Sequence, residues 1–161
     1  MPDAARQAFI EEMGLLFEAE RFPRIAGRLL GHLLVADEAQ SLTAIAAALD
    51  VTKASVSTNA RMLESRGLIE RVSHPGDRRD HYRIVADLPL RTLEARVARL
   101  RRVREVLARG EAAMQPTSKA VRTRFRHMVA AYDFVLQITV RALEELPERL
   151  ERVRSTPTSS R

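Results

Sequence analysis

Two adjacent arginines stand out in the stretch "SHPGDRRDHY", which spans residues 73–82. Arg78 and Arg79 follow the pair Pro75-Gly76, and the runs "LIERVS" and "HYRIV" on either side are rich in apolar and β-branched residues. A Pro-Gly pair between two such runs predicts a short β-hairpin with the arginines at its tip. Guanidinium groups bind phosphate bidentately and favour the negative potential of a minor groove. Both arginines are therefore candidates for nucleic-acid contact.

The acidic residues beside this pair need a separate explanation, because carboxylates are repelled by phosphate. We expect Asp77 and Asp80 to pair with nearby arginines or to brace the turn. Together with His74 and His81 they could suggest a metal site, but a hairpin tip rarely closes a coordination shell. The sequence contains no HExxH motif and no glycine-rich phosphate loop. We predict no catalytic residue, no metal and no cofactor.

A second polar set precedes the hairpin in "TKASVSTNARMLESRG", residues 52–67. Val56 and Leu63 are seven residues apart and so share one face of a helix that Thr52 can cap. The opposite face carries short hydroxyl side chains with two cations: Lys53, Ser55, Ser57, Thr58 and Arg61. Such a face suits a helix that enters the major groove, about 12 Å wide, and reaches base edges. An ordinary solvated face has the same residue types, and from this helix alone both interpretations stay open.

Asn59 departs from this pattern because it falls on the side of Val56 and Leu63. A buried amide must find hydrogen-bond partners or destabilise the fold. Asn59 either bonds to the nearby backbone or rotates toward a nucleic-acid partner.

The elements that position these residues are mainly helical. Ser41 is a suitable N-cap for the short helix "LTAIAAALD", and a tight turn at Asp50 and Val51 leads to the next helix. Two short helices joined so tightly predict a helix-turn-helix. Apolar residues three and four apart predict two earlier helices, one from about residue 4 to 20 and one with Pro23 in its first turn.

Two long helices follow the hairpin. Asp87 and Pro89 open the fifth helix, Pro116 breaks it, and Ser118 can cap the sixth. Their apolar stripes exceed what the small central unit could cover, which predicts a second copy of the chain. The fifth helix also holds seven arginines between residues 91 and 109 against two glutamates, a pattern more typical of a solvated face than of phosphate contact.

Composition narrows the class of protein. The 161 residues carry a net charge of +6 and a pI of about 10.8, which favours an anionic partner. The chain has no cysteine, and its acidic start is unlike a signal peptide. No run approaches the roughly 20 apolar residues of a membrane-spanning helix. We expect a soluble cytoplasmic protein without a membrane partner.

Three segments, "FPRIAGRLLGHLL", "SLTAIAAALDVTKASVSTNARMLESRGLIERV" and "HPGDRRDHYRI", resemble the MarR superfamily of winged helix-turn-helix regulators, most closely its GbsR-like branch. The resemblance covers about residues 22–85. It implies a mainly α fold with a small β-hairpin wing and long N- and C-terminal dimerisation helices. The implied boundaries are a dimerisation helix over 1–21, a DNA-binding domain over 22–86 and a helical dimerisation region over 87–150. The polar, proline-containing last residues predict a disordered tail over 151–161.

The resemblance also assigns roles by position. It implies that Thr52, Lys53, Ser55, Ser57, Thr58 and Arg61 lie on the recognition helix and that Arg78 and Arg79 lie on the wing. Asp77 matches the acid that braces the wing. Asn59 stands where the broader superfamily has a buried aliphatic residue and where the GbsR-like branch resembles this chain.

The sequence thus predicts a homodimeric transcriptional regulator, not an enzyme, that represses from a pseudo-palindromic operator in double-stranded DNA. Its two recognition helices would meet major grooves roughly 34 Å apart. A small-molecule effector of unknown identity, if there is one, would bind where the winged unit meets the long helices and alter the spacing of the two heads. The alternative is a winged-helix module that grips an acidic protein through its hairpin and basic helix.

Overall fold

The computed structural model describes residues 3–74, 77–113 and 118–155, and its elements are mainly helical, as predicted. In chain order they are α1 (Asp3–Ala19), α2 (Arg24–Leu34), β1 (Gln40–Ser41), α3 (Leu42–Leu49), α4 (Lys53–Ser65), β2 (Ile69–His74), β3 (Asp77–Ile84), α5 (Leu88–Ala113) and α6 (Lys119–Ser155). The chain divides into two compact units, Met1–Leu88 and Pro89–Arg161.

The predicted caps set the starts of α3 and α4. The Ser41 hydroxyl accepts a hydrogen bond from the Ala44 N–H at 3.2 Å, and the Thr52 hydroxyl accepts one from the Ser55 N–H at 3.2 Å. Each bond satisfies a backbone donor that has no partner within its helix. Pro23 differs from the prediction, because it occupies the N-cap position of α2 instead of its first turn. Its fixed φ suits either place, and it has no N–H to satisfy in either.

The sheet has three antiparallel strands in the order β1-β3-β2. The predicted hairpin is the β2/β3 pair, in which Ile69 faces Ile84 and Arg71 faces Tyr82. The third strand, β1, was not predicted, and it pairs Gln40 with Tyr82 on the outer edge of β3. This pairing ties the start of α3 directly to the wing.

The core of the first unit forms where α1 crosses α2 and where α3 and α4 pack beneath them. The fully buried large side chains are Leu29, Ile45, Leu49, Val56, Leu63 and Ile69. The helices α1 and α2 approach closely because Gly27 has no side chain. A Cβ at that position would overlap the Met13 carbonyl oxygen and lie 2.8 Å from the Phe17 Cβ.

In the second unit α5 and α6 run antiparallel. Arg104 on α5 pairs with Asp133 on α6 at 2.9 Å, and one end of the pair closes at Gly110, where a Cβ would lie 2.9 Å from the Phe125 ring. The Val121 N–H donates to the predicted cap Ser118 at 3.4 Å, whereas Pro116 lies outside the described residues. The helix α6 continues to Ser155, five residues beyond the predicted end at 150, and residues 156–161 lie outside the described part.

Within the described residues, no helix combines the length and the apolar character that crossing a membrane requires.

We expect Gly27→Ala to lower the free energy of unfolding by about 1–3 kcal/mol, because the added methyl meets backbone at the α1–α2 crossing. Helix propensity alone would raise the free energy of unfolding by about 1 kcal/mol for the same change. The sign of the measured change therefore distinguishes a steric overlap from a propensity effect. Gly31→Ala is the matched control, since its Cβ would lie 3.0 Å from the Met13 Cβ and 3.4 Å from the Ile10 Cα, contacts that require much smaller shifts than those at Gly27. Urea denaturation checks both variants. A Gly27→Ala protein as stable as the control would contradict the close crossing.

Acid should weaken the first unit through His32. This side chain is only 7% exposed, and burial, followed by the charge of Arg6, lowers its pKa below the ordinary 6.5. Because the unfolded chain then binds a proton that the folded chain does not, stability is complete above about pH 6.5 and falls as the pH drops toward the folded pKa. Between pH 7.5 and 5.5 we expect His32→Gln to remove this loss, which for one proton cannot exceed about 1.4 kcal/mol per pH unit below 6.5. The pH dependence of urea denaturation measures this loss, and a His32→Gln protein with the wild-type pH dependence would contradict the role of His32.

Candidate nucleic-acid interface

The helix α4 presents a polar face because its other face is fixed in the core. Val56, Ala60 and Leu63 are completely buried. The residues predicted to contact nucleic acid divide by exposure: Thr52, Lys53, Thr58 and Arg61 are exposed, and Ser55 and Ser57 are partly exposed. The predicted polar face therefore exists on the surface of the first unit.

A tight turn determines where α4 begins. Asp50 ends α3 in the left-handed conformation, with φ at 51°, and its N–H donates to the carbonyls of Ala46 and Ala47. The helix starts three residues later, at Lys53, under the Thr52 cap. Its N-terminal end carries the partial positive charge of aligned peptide dipoles, and Lys53 adds a full charge there. This end of α4 is suited to an anion such as a phosphate group.

Asn59 is buried, with 8% of its surface exposed, and its Nδ2 donates to the Ser55 carbonyl oxygen at 2.9 Å. Of the two arrangements considered for this amide, the structure has the backbone bond. Arg61 also bonds to the backbone, through Nε to the Ser57 carbonyl at 3.3 Å. A guanidinium group has five N–H donors, so this bond positions the exposed Arg61 side chain without using its whole donor set.

The C-terminal end of α4 is held by aromatic contacts. The Arg66 guanidinium lies 4.5 Å from the centroid of the Phe22 ring, and that ring lies 5.8 Å from the Phe17 ring of α1. Gly67 then adopts a φ of 69°, a conformation that glycine accommodates without strain, and the chain turns into β2. These contacts hold the C-terminal end of α4 against Phe22 and, through that ring, against α1.

The predicted wing is the β2/β3 hairpin. Arg79 is exposed on β3, and its carbonyl lies 3.0 Å from the His81 Nδ1. Arg78 and Asp77 belong to β3, but their side chains lie outside the described part of the structure, as do Pro75 and Gly76. The structure thus gives the position of one of the two wing arginines.

Arg71 on β2 is a site residue that the sequence did not single out. Its guanidinium lies 3.5 Å from Asp80 on the wing and 3.9 Å from Glu64 on α4. Beneath it, burial, followed by the nearby Glu64 and Asp80 carboxylates, raises the pKa of Tyr82. Arg71 therefore offsets two acidic groups and connects the wing to α4. This role depends on the strand register, which sets Arg71 opposite Tyr82 and which the sequence alone did not give.

Among residues 3–74, 77–113 and 118–155, no group of three or more histidine, aspartate or glutamate side chains is arranged to hold a metal ion. The exposed polar groups on α4 and the wing include cations and hydroxyl groups.

Comparisons with known proteins point to one family. The sequence model of the MarR family matches residues 22–80, the segment from the start of α2 into the wing. The HTH-type transcriptional regulator MmpR5 of Mycobacterium tuberculosis (strain ATCC 25618 / H37Rv) is 40% identical over 126 residues, which cover 62% of this chain and 76% of that protein. A crystal structure of a transcriptional regulator superposes with a TM-score of 0.77 at 32% identity, over 89% of this chain and 99% of that one.

We call the helix-turn-helix and its wing, residues 22–86, the winged head. The match to the regulator from M. tuberculosis extends beyond the winged head, because 126 aligned residues exceed the 59 that the family model covers. The similar crystal structure likewise covers most of both chains. The chain therefore belongs to the MarR family of winged-helix transcriptional regulators.

Proposed function

We propose that this protein is a homodimeric repressor that binds a pseudo-palindromic operator with two winged heads. The observation that carries the proposal is the exposed polar face of α4, capped at Thr52 and connected to the wing through Arg71. In each head α4 enters the major groove, where Lys53, Ser55, Ser57, Thr58 and Arg61 reach base edges and phosphates. Arg78 and Arg79 then contact the adjacent phosphates or minor groove, and Asp77 braces the wing. A cytoplasmic location follows from the proposed partner.

Dimerisation is supported by an apolar surface on α6. Met128, Val135 and Ile138 lie on one side of the helix with Phe134 beside them, and all four are exposed. Phe134 is 64% exposed and Ile138 is 53% exposed. Soluble chains seldom leave such a row in water, and a two-fold axis would pair it with itself. Leu15 and Leu16 on α1 are similarly exposed, consistent with a contribution from residues 1–21.

We also propose that the chain belongs to the GbsR-like branch of the family. The support is Asn59, a buried polar residue at a position where the broader superfamily has an aliphatic one. An effector, if the regulator has one, would act by changing the spacing of the two heads, so its affinity must differ between the two spacings.

Arg79→Ala should weaken binding to every duplex, because a phosphate contact carries no sequence information. We expect the slope of log Kobs against log salt concentration to fall by about 0.9 per protomer. Fluorescence anisotropy with a duplex selected from genomic fragments and with a random duplex measures both affinities. If neither affinity changes, the alternative module that binds an acidic protein is favoured.

Ser57→Ala should instead reduce the discrimination between the selected and the random duplex. The loss of one base-edge contact lowers the ratio of selected-duplex to random-duplex affinity by about tenfold, within the 1–3 kcal/mol that a good base contact provides. Ser65→Ala is the matched control on the same helix, because the Ser65 hydroxyl donates to the Met62 carbonyl at 2.8 Å and lies at the far end of α4. An equal ratio in both variants would remove Ser57 from the interface.

Phe134→Glu combined with Ile138→Glu should separate the dimer. Burying each side chain stabilises association by about 1.5–3 kcal/mol, so the dimer dissociation constant should rise at least about 100-fold. Val153→Glu is the control, since Val153 is 72% exposed near the C-terminal end of α6, away from this row. Analytical ultracentrifugation gives the mass of each variant. A double variant with the wild-type mass would contradict this interface.

A further inference from the structure

The helix α5 carries most of the excess positive charge of the chain. Between Leu88 and Ala113 it holds seven arginines against three glutamates, a net charge of +4 in a chain whose net charge is +6. The winged head does not account for this charge, because residues 89–161 form the other compact unit. The arrangement of these arginines on the helix therefore matters.

One side of α5 faces α6. Leu93, Val97, Leu100, Arg104 and Leu107 recur three and four residues apart, and the Arg104 contact with Asp133 identifies the helix that they face. At about 100° per residue, Arg99, Arg102 and Arg109 lie on the opposite side. All three are exposed, and they extend along about 15 Å of the helix. We call these three residues the outer arginine row.

Charged residues on a solvated helix usually pair with opposite charges four residues away. Such pairs occur on α6, where Glu145 bonds to Arg141 at 2.9 Å and to Arg149 at 3.2 Å. On α5, Glu105 is equally spaced between Arg101 and Arg109, yet it forms an ion pair with neither. Within the described residues, the outer arginine row has no ion pair or hydrogen bond to a protein group.

We propose that the outer arginine row is a second phosphate-binding surface, which contacts duplex DNA beyond the part held by the winged head. This inference rests on the proposed DNA-binding function. Duplex DNA presents about one negative charge per 1.7 Å of its axis, so a row 15 Å long can meet several phosphates, and guanidinium groups bind them bidentately. The row thus adds affinity and salt dependence without adding sequence preference.

Two other partners for the outer arginine row are a second copy of the chain and a membrane surface, and charge and composition favour DNA over both. A second copy of the chain would set one outer arginine row against another if the row lay on the two-fold axis, with repulsion between like charges. Away from the axis the row would need acidic side chains of the second copy, and the mass of the row variant in sedimentation tests that contact. A membrane surface is matched by helices that combine basic residues with exposed Trp, Phe or Leu. Beside the outer arginine row the exposed apolar neighbours are Ala95, Ala98 and Val106, which offer little surface for insertion.

The test removes the row from the full-length protein in the variant Arg99→Gln, Arg102→Gln, Arg109→Gln. On a 60-bp duplex (a length of about six helical turns) that contains the selected site at its centre, we expect the slope of log Kobs against log salt concentration to fall by about 2.7 per protomer. The single variant Arg102→Gln should lower it by about 0.9. Replacing the three arginines by lysine should retain most of the slope, because the phosphate contact depends mainly on charge.

The matched control is Arg126→Gln, Arg141→Gln, Arg149→Gln, which removes the same charge from arginines that are paired with Glu111 or Glu145. If the control lowers the slope as much as the row variant does, the effect is one of net charge and the proposal is overturned. A row variant with the wild-type slope overturns it as well. So does a row variant that loses affinity for vesicles containing phosphatidylserine while its DNA slope is unchanged.

If the proposed DNA-binding function itself is wrong, the binding measurements would give a different set of results. In that case the wild-type protein would not retain DNA at low salt, and Arg79→Ala would change nothing. If the wild-type protein binds the selected site and Arg79→Ala weakens that binding, a row variant without effect overturns only the second surface. Circular dichroism melting and sedimentation confirm that each variant is folded and has the wild-type mass.

Discussion

The surface chemistry of the winged head depends on the burial of one side of α4. With Val56, Ala60 and Leu63 completely excluded from water, the helix cannot rotate about its axis without exposing that row. Removing three such side chains from the core would cost several kcal/mol, which is comparable with the whole stability of a small unit. The hydroxyl groups and cations on the other side are consequently held outward by a packing constraint, not by contacts of their own.

Both ends of α4 reinforce this constraint through local chemistry. The left-handed residue Asp50 and the Thr52 cap fix the start, and the stacking of Arg66 on Phe22 fixes the end. Individually these are contributions of about 1 kcal/mol. Arg71 adds a connection to the wing, which is modest because its ion pairs are exposed. Helix and wing therefore share one rigid support.

Features set by nearby residues were predictable from the sequence, and features set by distant residues were not. The caps at Ser41 and Thr52 and the glycine stop at Gly67 act within four residues, and each was predicted where it occurs. The strand β1 has only two residues and exists because it pairs with β3, forty positions away. The role of Arg71 likewise requires the register of β2 and β3. Asn59 could be placed on the buried face, but only coordinates show which hydrogen bond it forms.

The two long helices carry two different kinds of exposed surface, and these surfaces suit different partners. On α6 the exposed row is apolar, with Phe134 and Ile138 as its most exposed side chains, and contact with water disfavours this exposure strongly. On α5 the outer arginine row is cationic and lies away from the side that faces α6. A contact between two copies favours the first surface, because it removes apolar area from water, whereas the second surface is matched by negative charge. The same pair of helices is thus suited to join a second copy through one helix and to meet an anionic partner through the other.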